Sequence, residues 1–324
     1  MEDREAAAEI DRVLTRLQGL ERESSDLLVH AISRLGPSLR KRYQAALLRS
    51  TFGGAAALAQ ACGWNGAVVL KGGKVMVDQD GVLLTADDDT RYFRGNGAPT
   101  GRRMLKQLRR MGVPVSTVFD VGANIGEIAL YFARQLPEAR VFAFEPAPEN
   151  LLAFEANLAL QPAPLPNLTL IREAVSDRRG EIEITTGGMA LNSVLVEANL
   201  ERIGRQGPIA VRRVPTDTLD GFCRRLEVDE IDFLKVDIEG AEPLLAAAIA
   251  ALEGRIRAAC VEVSRYNTLP AYLDLVAAFD AAGLSLLDKD RKPVANPQAF
   301  LRSGLQAAAA MNVWFLRRGD PGQR

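Results

Sequence analysis

Apolar and polar positions follow two alternating patterns from Ser116 onward. Short, continuous apolar runs predict buried β-strands at Thr117–Val121, Arg140–Glu145, Leu168–Ala174, Ile231–Val236 and Ala258–Val263. Between these runs, apolar residues recur at three- and four-residue spacing and predict helices at Ile125–Gln135, Glu149–Leu160, Ala241–Leu252 and Leu269–Ala282. Strands that alternate with helices are typical of βαβ units, so the pattern predicts an α/β fold with a mostly parallel sheet.

Two further strand-like runs lie near the C-terminus, at Leu284–Leu287 and Asn312–Leu316, and no full helix is predicted between them. This arrangement predicts an antiparallel hairpin at the edge of the sheet. The stretch EIEI at Glu181–Ile184 alternates with a period of two residues after Arg179-Gly180, which is typical of a strand with one exposed face. We interpret it as one arm of an inserted hairpin.

The first ninety residues have a different pattern. Helical spacing of apolar residues predicts a helix over residues 3–34 and a second one from Leu39 to Leu48. In residues 67–88, apolar runs separated by Gly72-Gly73 and Asp80-Gly81 predict a small unit of β-hairpins. We therefore expect an N-terminal helical and β extension over residues 1–91 and one α/β domain over residues 92–324. The helices either pack on that domain or join copies of the chain into a homo-oligomer.

The composition excludes several classes of protein. The 324 residues carry a net charge of −1, so no overall field attracts nucleic acid or an anionic membrane surface. The three cysteines form no CxxC pair, which favours a reducing compartment over a disulfide or zinc framework. The lone histidine, His30, lies outside the α/β region, which argues against a histidine base there. Because neither a signal-peptide pattern nor a membrane-length apolar stretch is present, we expect a soluble, cytoplasmic protein.

A glycine-containing turn follows the first predicted strand of the α/β region. It reads Gly122-Ala-Asn124-Ile-Gly126 and leads into an amphipathic helix. Glycine permits tight turns and close approach of a ligand, and a helix N-terminus carries free N–H groups with partial positive charge. Ligands of open α/β sheets bind at this carboxyl edge, so we interpret the turn as part of a cofactor site; the alternative is a tight turn without a ligand.

The residues around the turn favour one type of nucleotide-like cofactor. A dinucleotide-binding turn follows the pattern GxGxxG, but Asn124 stands where the middle glycine would admit a pyrophosphate. Asp120, just before the turn, would repel a phosphate. The same carboxylate suits the ammonium group of S-adenosylmethionine, bound directly or through water.

Two later strand ends supply further candidate cofactor contacts. Glu145 ends the second strand and is placed to accept hydrogen bonds from ribose hydroxyls, as in both NAD and S-adenosylmethionine proteins, while Pro146 ends that strand. Ser176 and Asp177 follow the third strand at the same edge of the sheet. We expect an adenine ring there, with a polar contact to its amino group.

These motifs together resemble the FkbM-type methyltransferases over about Tyr92 to Arg318. The motifs are DVGANIG (Asp120–Gly126), FEP (Phe144–Pro146), AVSD (Ala174–Asp177), TLD (Thr218–Asp220) and KVDIEGAE (Lys235–Glu242). The resemblance implies a Rossmann-like, seven-stranded class I methyltransferase fold that uses S-adenosylmethionine. It further implies O-methylation of a hydroxyl on a sugar, a glycan precursor or another natural product.

Three carboxylates follow the fourth predicted strand of this domain within six residues: Asp237, Glu239 and Glu242. The resemblance places Asp237 at the topological switch point, where the methyl group and the acceptor hydroxyl would meet. Asp237 or Glu239 is then a candidate catalytic base for the hydroxyl proton. A second interpretation is a Mg²⁺ site of Asp237, Glu239 and Glu262 that lowers the pKa of the hydroxyl. In the third, Glu239 and Glu242 complement a helix dipole.

Two alternatives to the methyltransferase interpretation stay open at this point. One is an NAD-dependent oxidoreductase with a Rossmann fold, which the missing GxGxxG pattern disfavours. The other is a non-catalytic module that binds S-adenosylmethionine and uses the N-terminal helix as a partner surface. For an enzyme, the polar residues Asn192 and Ser193 in the glycine-rich loop Thr185–Val194 are candidate contacts for a small-molecule or saccharide acceptor.

Overall fold

A computed structural model describes residues 67–71, 74–79, 82–85, 100–161, 163–186 and 210–320. The helices predicted in residues 3–34 and 39–48 lie outside these residues, as do Asn192 and Ser193. The chain divides into two compact units, one reaching Thr100 with Ala159–Ala163 added and the other comprising Gly101–Leu158 and Pro164–Arg324. The domain boundary predicted at residue 91 stays a prediction, since residues 86–99 are not described.

The described part of the first unit contains a small antiparallel sheet. Its strands are β1 (Ala67–Lys71), β2 (Lys74–Gln79) and β3 (Val82–Thr85). Lys71 pairs with Lys74 and Gln79 pairs with Val82, so each hairpin closes across two residues. The antiparallel pairing of β1 with β2 and of β2 with β3 confirms the predicted β-hairpin unit.

The second unit alternates strands and helices as the periodicity predicts. Its strands are β4 (Thr117–Val121), β5 (Arg140–Phe144), β6 (Leu168–Ile171), β7 (Ala174–Val175), β8 (Gly180–Thr186), β9 (Ala210–Asp217), β10 (Ile231–Val236), β11 (Ile256–Ser264), β12 (Leu284–Leu287) and β13 (Ala310–Arg317). Its α-helices are α1 (Thr100–Arg110), α2 (Glu127–Gln135), α3 (Pro148–Ala159), α4 (Leu219–Arg225), α5 (Ala246–Ala250), α6 (Leu269–Ala281) and α7 (Pro297–Ala307).

The main sheet of the described residues has seven strands in the order β12-β13-β11-β10-β4-β5-β6. Strands β11, β10, β4, β5 and β6 run parallel, whereas β13 pairs antiparallel with both β11 and β12. This is the predicted Rossmann-like, mostly parallel sheet with an antiparallel C-terminal edge. Because the chain leaves β4 towards β5 and later returns to β10 on the other side, the strand order reverses between β4 and β10, where such sheets bind ligands.

The centre of the sheet is buried on both faces. All six residues of β10 are buried, as continuous apolar runs in parallel sheets predict. Phe119 on β4 packs against Phe142 and Phe144 of β5, with ring centroids 5.3 and 5.1 Å apart. Phe144 in turn meets Phe222 of α4. This aromatic cluster holds β4 and β5 rigidly behind the turn that follows β4.

A second, smaller sheet carries the predicted hairpin arm. Strand β8, which contains EIEI, pairs antiparallel with β9, and β9 pairs parallel with β7. The predicted strand Leu168–Ala174 is therefore wrong as one element: β6 ends at Ile171, and Ala174–Val175 joins the second sheet instead. Pairing with β9 diverts the chain at this point, a tertiary effect that local apolar content does not show.

Two helix predictions also need correction. Helix α7 lies between β12 and β13, where no full helix was predicted; Asn296 caps it by accepting from the Ala299 N–H, and Leu301 is its buried residue. The apolar periodicity of this segment is too weak to predict a helix, since Leu301 is the one buried residue of α7. The predicted helix Ala241–Leu252 is instead a 3₁₀ turn, Glu242–Leu245, followed by the short α5. None of the helices in the described ranges combines the length and the apolar character that crossing a bilayer requires.

Replacement of Phe119 by alanine should lower the free energy of unfolding by about 3–5 kcal/mol, because the ring is fully buried between two other rings. Chemical denaturation of the purified protein measures this loss. Leu152→Ala is the control, since Leu152 is 70% exposed and its truncation should change stability by less than about 0.5 kcal/mol. Equal losses in the two variants would contradict the assigned core.

Candidate functional site

The turn after β4 alternates left-handed residues with ordinary ones. Gly122, Asn124 and Gly126 have φ angles of 77°, 51° and 90°. Asparagine tolerates this region better than other side chains, and glycine adopts it freely. Such alternation turns successive backbone N–H groups towards one side. The N–H groups of Gly122 and Ala123 both reach the carbonyl oxygen of Phe144, so the turn folds onto the end of β5.

The two glycines are required by neighbouring protein atoms. A Cβ at Gly122 would overlap the carbonyl oxygen of Asp237, and a Cβ at Gly126 would collide with the ring of Phe154. Both positions also need positive φ. The sequence suggests that glycine allows a ligand to approach closely. In the structure, glycine is required instead by neighbouring protein atoms and by positive φ. The turn is instead packed directly against the loop after β10.

Glu145, at the end of β5, holds this turn through its carboxylate. Its Oε2 accepts from the Asn124 N–H at 2.8 Å, and its Oε1 accepts from the Ala147 N–H at 2.9 Å and from Asn150 Nδ2 at 3.2 Å. The side chain is 4% exposed. Burial raises the pKa of Glu145 to about 7, and the hydrogen bonds from Ala147, Asn124 and Asn150 oppose this rise.

Asp120 and Lys235 form a buried ion pair between the two central strands. The strand register places them side by side, and Lys235 Nζ lies 3.3 Å from Asp120 Oδ1. Their side chains are 5% and 0% exposed, respectively. Lys235 also donates to the Gly122 carbonyl oxygen at 2.8 Å. Burial raises the pKa of Asp120 above its ordinary value, and the Lys235 ammonium opposes that rise.

Asp237 directly follows β10, and its partly exposed carboxylate lies near the same lysine. Its Oδ2 lies 3.7 Å from Lys235 Nζ, and its side chain is 34% exposed. Its backbone N–H donates to the Val121 carbonyl oxygen at 3.0 Å, which continues the pairing of β10 with β4. The structure therefore brings Asp120, Gly122 and Asp237 together around Lys235. Only Asp237 of the two carboxylates presents oxygen atoms towards solvent.

Glu242 behaves differently from the two acidic residues before it. It begins the 3₁₀ turn but is 1% exposed, and its Oε1 accepts from the N–H groups of Ile238 and Gly240 at 2.9 and 3.1 Å. Burial raises the pKa of Glu242 to about 7, against the hydrogen bonds that it accepts. It thus binds the preceding loop, and the helix-dipole interpretation does not describe its contacts. Glu239 is partly exposed in that loop with φ of 57°.

Glu262 on β11 completes a group of carboxylates at this edge. Val236 pairs with Val261, so Asp237 and Glu262 occupy the next positions of neighbouring parallel strands. Partial burial raises the pKa of Glu262 to about 8, and the charges of Asp237, Glu239 and Glu242 add to the rise. Within the described residues, no group of three or more His, Cys, Asp or Glu side chains is placed to hold a metal ion. The predicted Mg²⁺ site of Asp237, Glu239 and Glu262 therefore finds no support.

The structure places Ser176 and Asp177, which are predicted to contact adenine, after a strand outside the seven-stranded sheet. They follow β7, which belongs to the second sheet, and Ser176 Oγ donates to Asp177 Oδ1 at 3.1 Å. Ser176 is buried, its N–H donating to the Asp217 carbonyl oxygen, and Asp177 is exposed. Their contact with an adenine ring stays a prediction. Pro146, partly buried, stands between Glu145 and the Ala147 N–H that Glu145 binds.

Three residues of the site were missed from the sequence: Lys235, Asn267 and Tyr272. The sequence pattern predicts Lys235 only as part of a buried strand. A lysine inside an otherwise apolar run is a usable signal, because a buried ammonium requires carboxylate or carbonyl partners. Tyr272 bonds to Glu242 from 30 residues away and Asn267 bonds to Gly240 from 27 residues away, and no local pattern reveals such contacts.

Comparison with known proteins gives the following similarities. Residues 120–269 match the family described as the methyltransferase FkbM domain. The chain is 26% identical over 226 residues to the 2-O-methyltransferase NoeI of Sinorhizobium fredii (strain NBRC 101917 / NGR234), which covers 62% of this chain and 89% of that protein. It is 31% identical over 151 residues to methyltransferase sdnD of Sordaria araneosa, covering 39% of this chain and 57% of that protein.

Among solved structures, the chain is similar to that of the methyltransferase FkbM from Methylobacillus flagellatus KT. The TM-score is 0.38 and the sequence identity is 15%, over 62% of this chain and 43% of that one.

The pKa of Glu145 predicts how stability depends on pH. Its folded-state value of about 7 lies above the ordinary value of 4.5, so the stability that Glu145 contributes is fully present below pH 4.5 and is lost as the pH rises through 7. The loss from this group should be roughly 3 kcal/mol. Urea denaturation between pH 5 and pH 8 should therefore show a shallower fall in stability for Glu145→Gln than for the wild type. Superimposable pH profiles would contradict the assignment.

The Lys235–Asp120 pair predicts a strongly non-additive pair of substitutions. Lys235→Met should cost about 3–5 kcal/mol of unfolding free energy, because it leaves the Asp120 carboxylate buried without its counter-charge. The double variant Asp120→Asn with Lys235→Met should recover most of this loss. A urea-denaturation cycle on the wild type, both single variants and the double variant measures the coupling. Additive effects would refute the ion pair.

Proposed function

Since residues 120–269 belong to the FkbM family of methyltransferases, we propose that this protein is an S-adenosylmethionine-dependent O-methyltransferase. The proposed acceptor is a hydroxyl group of a sugar, a glycan precursor or another natural product. The similarity to a protein named as a 2-O-methyltransferase supports methylation of an oxygen atom. The similarity to methyltransferase sdnD supports methyl transfer without specifying the acceptor.

The observation that carries this proposal is the negative charge at the carboxyl edge of the sheet. Burial raises the pKa of Glu262, and the nearby carboxylates of Asp237, Glu239 and Glu242 add to the rise. Lys235 offsets part of this charge, and its ammonium is itself shared with the buried Asp120. Such an edge favours a positively charged ligand. S-adenosylmethionine carries a sulfonium and an ammonium group, and both suit this surface.

The same geometry disfavours a dinucleotide. A pyrophosphate would need the N–H groups of the turn after β4. The N–H of Asn124 is bonded to the Glu145 carboxylate, and those of Gly122 and Ala123 are bonded to the Phe144 carbonyl oxygen. The protein itself thus already supplies hydrogen-bond acceptors for the N–H groups that a phosphate would need. We therefore rank the NAD-dependent oxidoreductase well below the methyltransferase.

The residues present fit the proposed cofactor. Glu145 Oε2 has one protein donor, so a second lone pair is available to a ribose hydroxyl. Asp237 is the exposed carboxylate beside the turn and would face the positively charged part of the ligand. Ser176 and Asp177 would contact the adenine amino group. When bound, S-adenosylmethionine supplies an electrophilic methyl group.

The acceptor side of the proposed reaction rests on Asp237 and Glu239. Methyl transfer to a hydroxyl requires alignment of the oxygen with the methyl group and removal of the hydroxyl proton. A carboxylate at the end of β10 would orient the hydroxyl by accepting its hydrogen bond and would take up its proton. Asn192 and Ser193 are proposed to contact the remainder of the acceptor.

Isothermal titration calorimetry with S-adenosylhomocysteine and with NAD tests the proposal. The wild type should bind S-adenosylhomocysteine and give no heat with NAD. Glu145→Ala should weaken binding by roughly 1–3 kcal/mol, because charged hydrogen bonds to the ribose are lost. Arg172→Ala, an exposed position whose ion pair with Glu155 is at the surface, is the matched control and should bind as the wild type does. Binding of NAD alone would refute the proposal.

Turnover separates an enzyme from a module that only binds the cofactor. Transfer of labelled methyl groups from S-adenosylmethionine to a panel of saccharides and hydroxylated natural products should detect an O-methylated product. Asp237→Asn should remove this turnover while lowering the free energy of unfolding by no more than about 1 kcal/mol, because its partly exposed carboxylate lies 3.7 Å from Lys235 Nζ. Product formation by Asp237→Asn at the wild-type rate would exclude the proposed role of Asp237. Binding without transfer to any acceptor would favour the non-catalytic module.

A further inference from the structure

The loop between β10 and the 3₁₀ turn, Asp237–Ala241, has an unusual backbone. Glu239 and Gly240 are consecutive residues with φ of 57° and 96°. A glutamate in the left-handed region is held there by its surroundings, since its own preference opposes it. Both proposed acceptor-side carboxylates, Asp237 and Glu239, belong to this loop. Whatever maintains the loop therefore also places the two carboxylates.

The buried carboxylate of Glu242 binds the backbone of this loop. Its Oε1 accepts from Ile238 N–H at 2.9 Å and from Gly240 N–H at 3.1 Å. These two donors belong to the Asp237–Ile238 and Glu239–Gly240 peptides, so the bonds hold the backbone before and after the left-handed residue. The side chain is almost completely buried, and hydrogen bonds from N–H groups to a carboxylate in such surroundings are stronger than those at the surface.

Two residues of the β11–α6 region complete the attachment. The fully buried Tyr272 hydroxyl donates to Glu242 Oε2 at 3.2 Å and accepts from Ser264 N–H at 3.1 Å. Asn267 Nδ2 donates to the Gly240 carbonyl oxygen at 2.9 Å. Both oxygen atoms of Glu242 are thus hydrogen-bonded. Through Glu242 and Asn267, the loop is attached to α6 and to the segment that connects β11 with α6.

The opposite side of the loop meets the turn after β4. Asp237 N–H donates to the Val121 carbonyl oxygen, and the Asp237 carbonyl oxygen packs against Gly122. The loop is consequently seated between the proposed cofactor turn and the attachment made by Glu242. A displacement of the loop would move Asp237 relative to that turn.

We propose that Glu242 is a positioning residue that, with Tyr272 and Asn267, sets the Asp237–Ala241 loop against the cofactor turn. The role in presenting Asp237 and Glu239 rests on the function proposed above. The attachment of the loop does not depend on that function. Glu242 is assigned no contact with cofactor or acceptor; it acts through the Asp237–Ile238 and Glu239–Gly240 peptides, whose N–H groups it binds.

The test compares Glu242→Ala with the conservative variant Glu242→Gln. The glutamine keeps an oxygen that accepts from both loop N–H groups, and its amide can donate to the Tyr272 oxygen. Asp232→Ala is the matched control at the other end of β10. Asp232 is also a buried carboxylate, and its Oδ2 accepts from the N–H groups of Ser116 and Thr117 at 2.8 and 3.0 Å.

Amide hydrogen exchange of Ile238 and Gly240, followed by NMR, reports the attachment directly. Glu242→Ala should accelerate exchange of both amides by about tenfold or more, and Glu242→Gln should stay within about threefold of the wild type. Asp232→Ala should not accelerate exchange of these two amides more than exchange of the other protected amides of the protein. Unchanged exchange in Glu242→Ala, or equal acceleration in the alanine and glutamine variants, would overturn the proposal.

Affinity for S-adenosylhomocysteine reports the consequence for the site. Glu242→Ala should raise the dissociation constant by about tenfold, while Glu242→Gln and Asp232→Ala should stay within about threefold of the wild type. An equal loss in Asp232→Ala would show a general effect of destabilisation and would overturn the positioning role. If the wild type binds no S-adenosylhomocysteine, the proposed function fails, and hydrogen exchange still decides whether Glu242 holds the loop.

If Glu242→Ala does not fold, Asn267→Ala tests the attachment of the loop instead. It removes a partly exposed side chain and its bond to the Gly240 carbonyl oxygen. Exchange of the Gly240 and Ala241 amides should then accelerate while the core strands keep their protection. Wild-type exchange rates in Asn267→Ala would overturn the proposal.

Discussion

The ammonium group of Lys235, buried between Asp120 and Asp237, is the interaction on which the arrangement of this site depends. It stands on the central strand of the sheet, where desolvation makes an uncompensated charge very costly. Its partners come from the neighbouring strand, the turn after that strand and the loop after its own strand. One cation thereby joins the three backbone segments that meet at the topological switch point. Were it absent, Asp120 would lack its counter-charge.

Buried carboxylates act as internal anchors around this centre. Glu145 binds the N–H groups of Asn124 and Ala147, and Glu242 binds those of Ile238 and Gly240. In each case one carboxylate accepts from two backbone N–H groups and thereby determines the course of a loop. Burial raises the pKa of both groups to about 7, so the same desolvation that strengthens these bonds also opposes ionisation. The site is consequently shaped by charges that the protein itself supplies.

Much of the fold could be predicted because its signals are local. Continuous apolar runs mark β4 and β10 with their observed bounds, and the two-residue hairpin connections mark the small sheet. The turn at Gly122 and the carboxylate at Glu145 likewise stand next to recognisable strand ends. The interruption between β6 and β7 depends on pairing with β9, which lies more than thirty residues away. The contacts of Tyr272 and Asn267 span 30 and 27 residues, and Lys235 gives only a weak signal because its neighbours on the strand are apolar.

The contact between Gly122 and the Asp237 carbonyl oxygen limits how this protein can be modified. At this contact, which we call the seam, the segment proposed to bind the methyl donor packs against the segment proposed to face the acceptor. The seam has no room for even a methyl group on Gly122. Engineering that targets acceptor choice by enlarging side chains along this seam would disturb the donor side at the same time. Residues away from the seam are the better starting point for redesign, because they allow one half of the site to change while the other keeps its geometry.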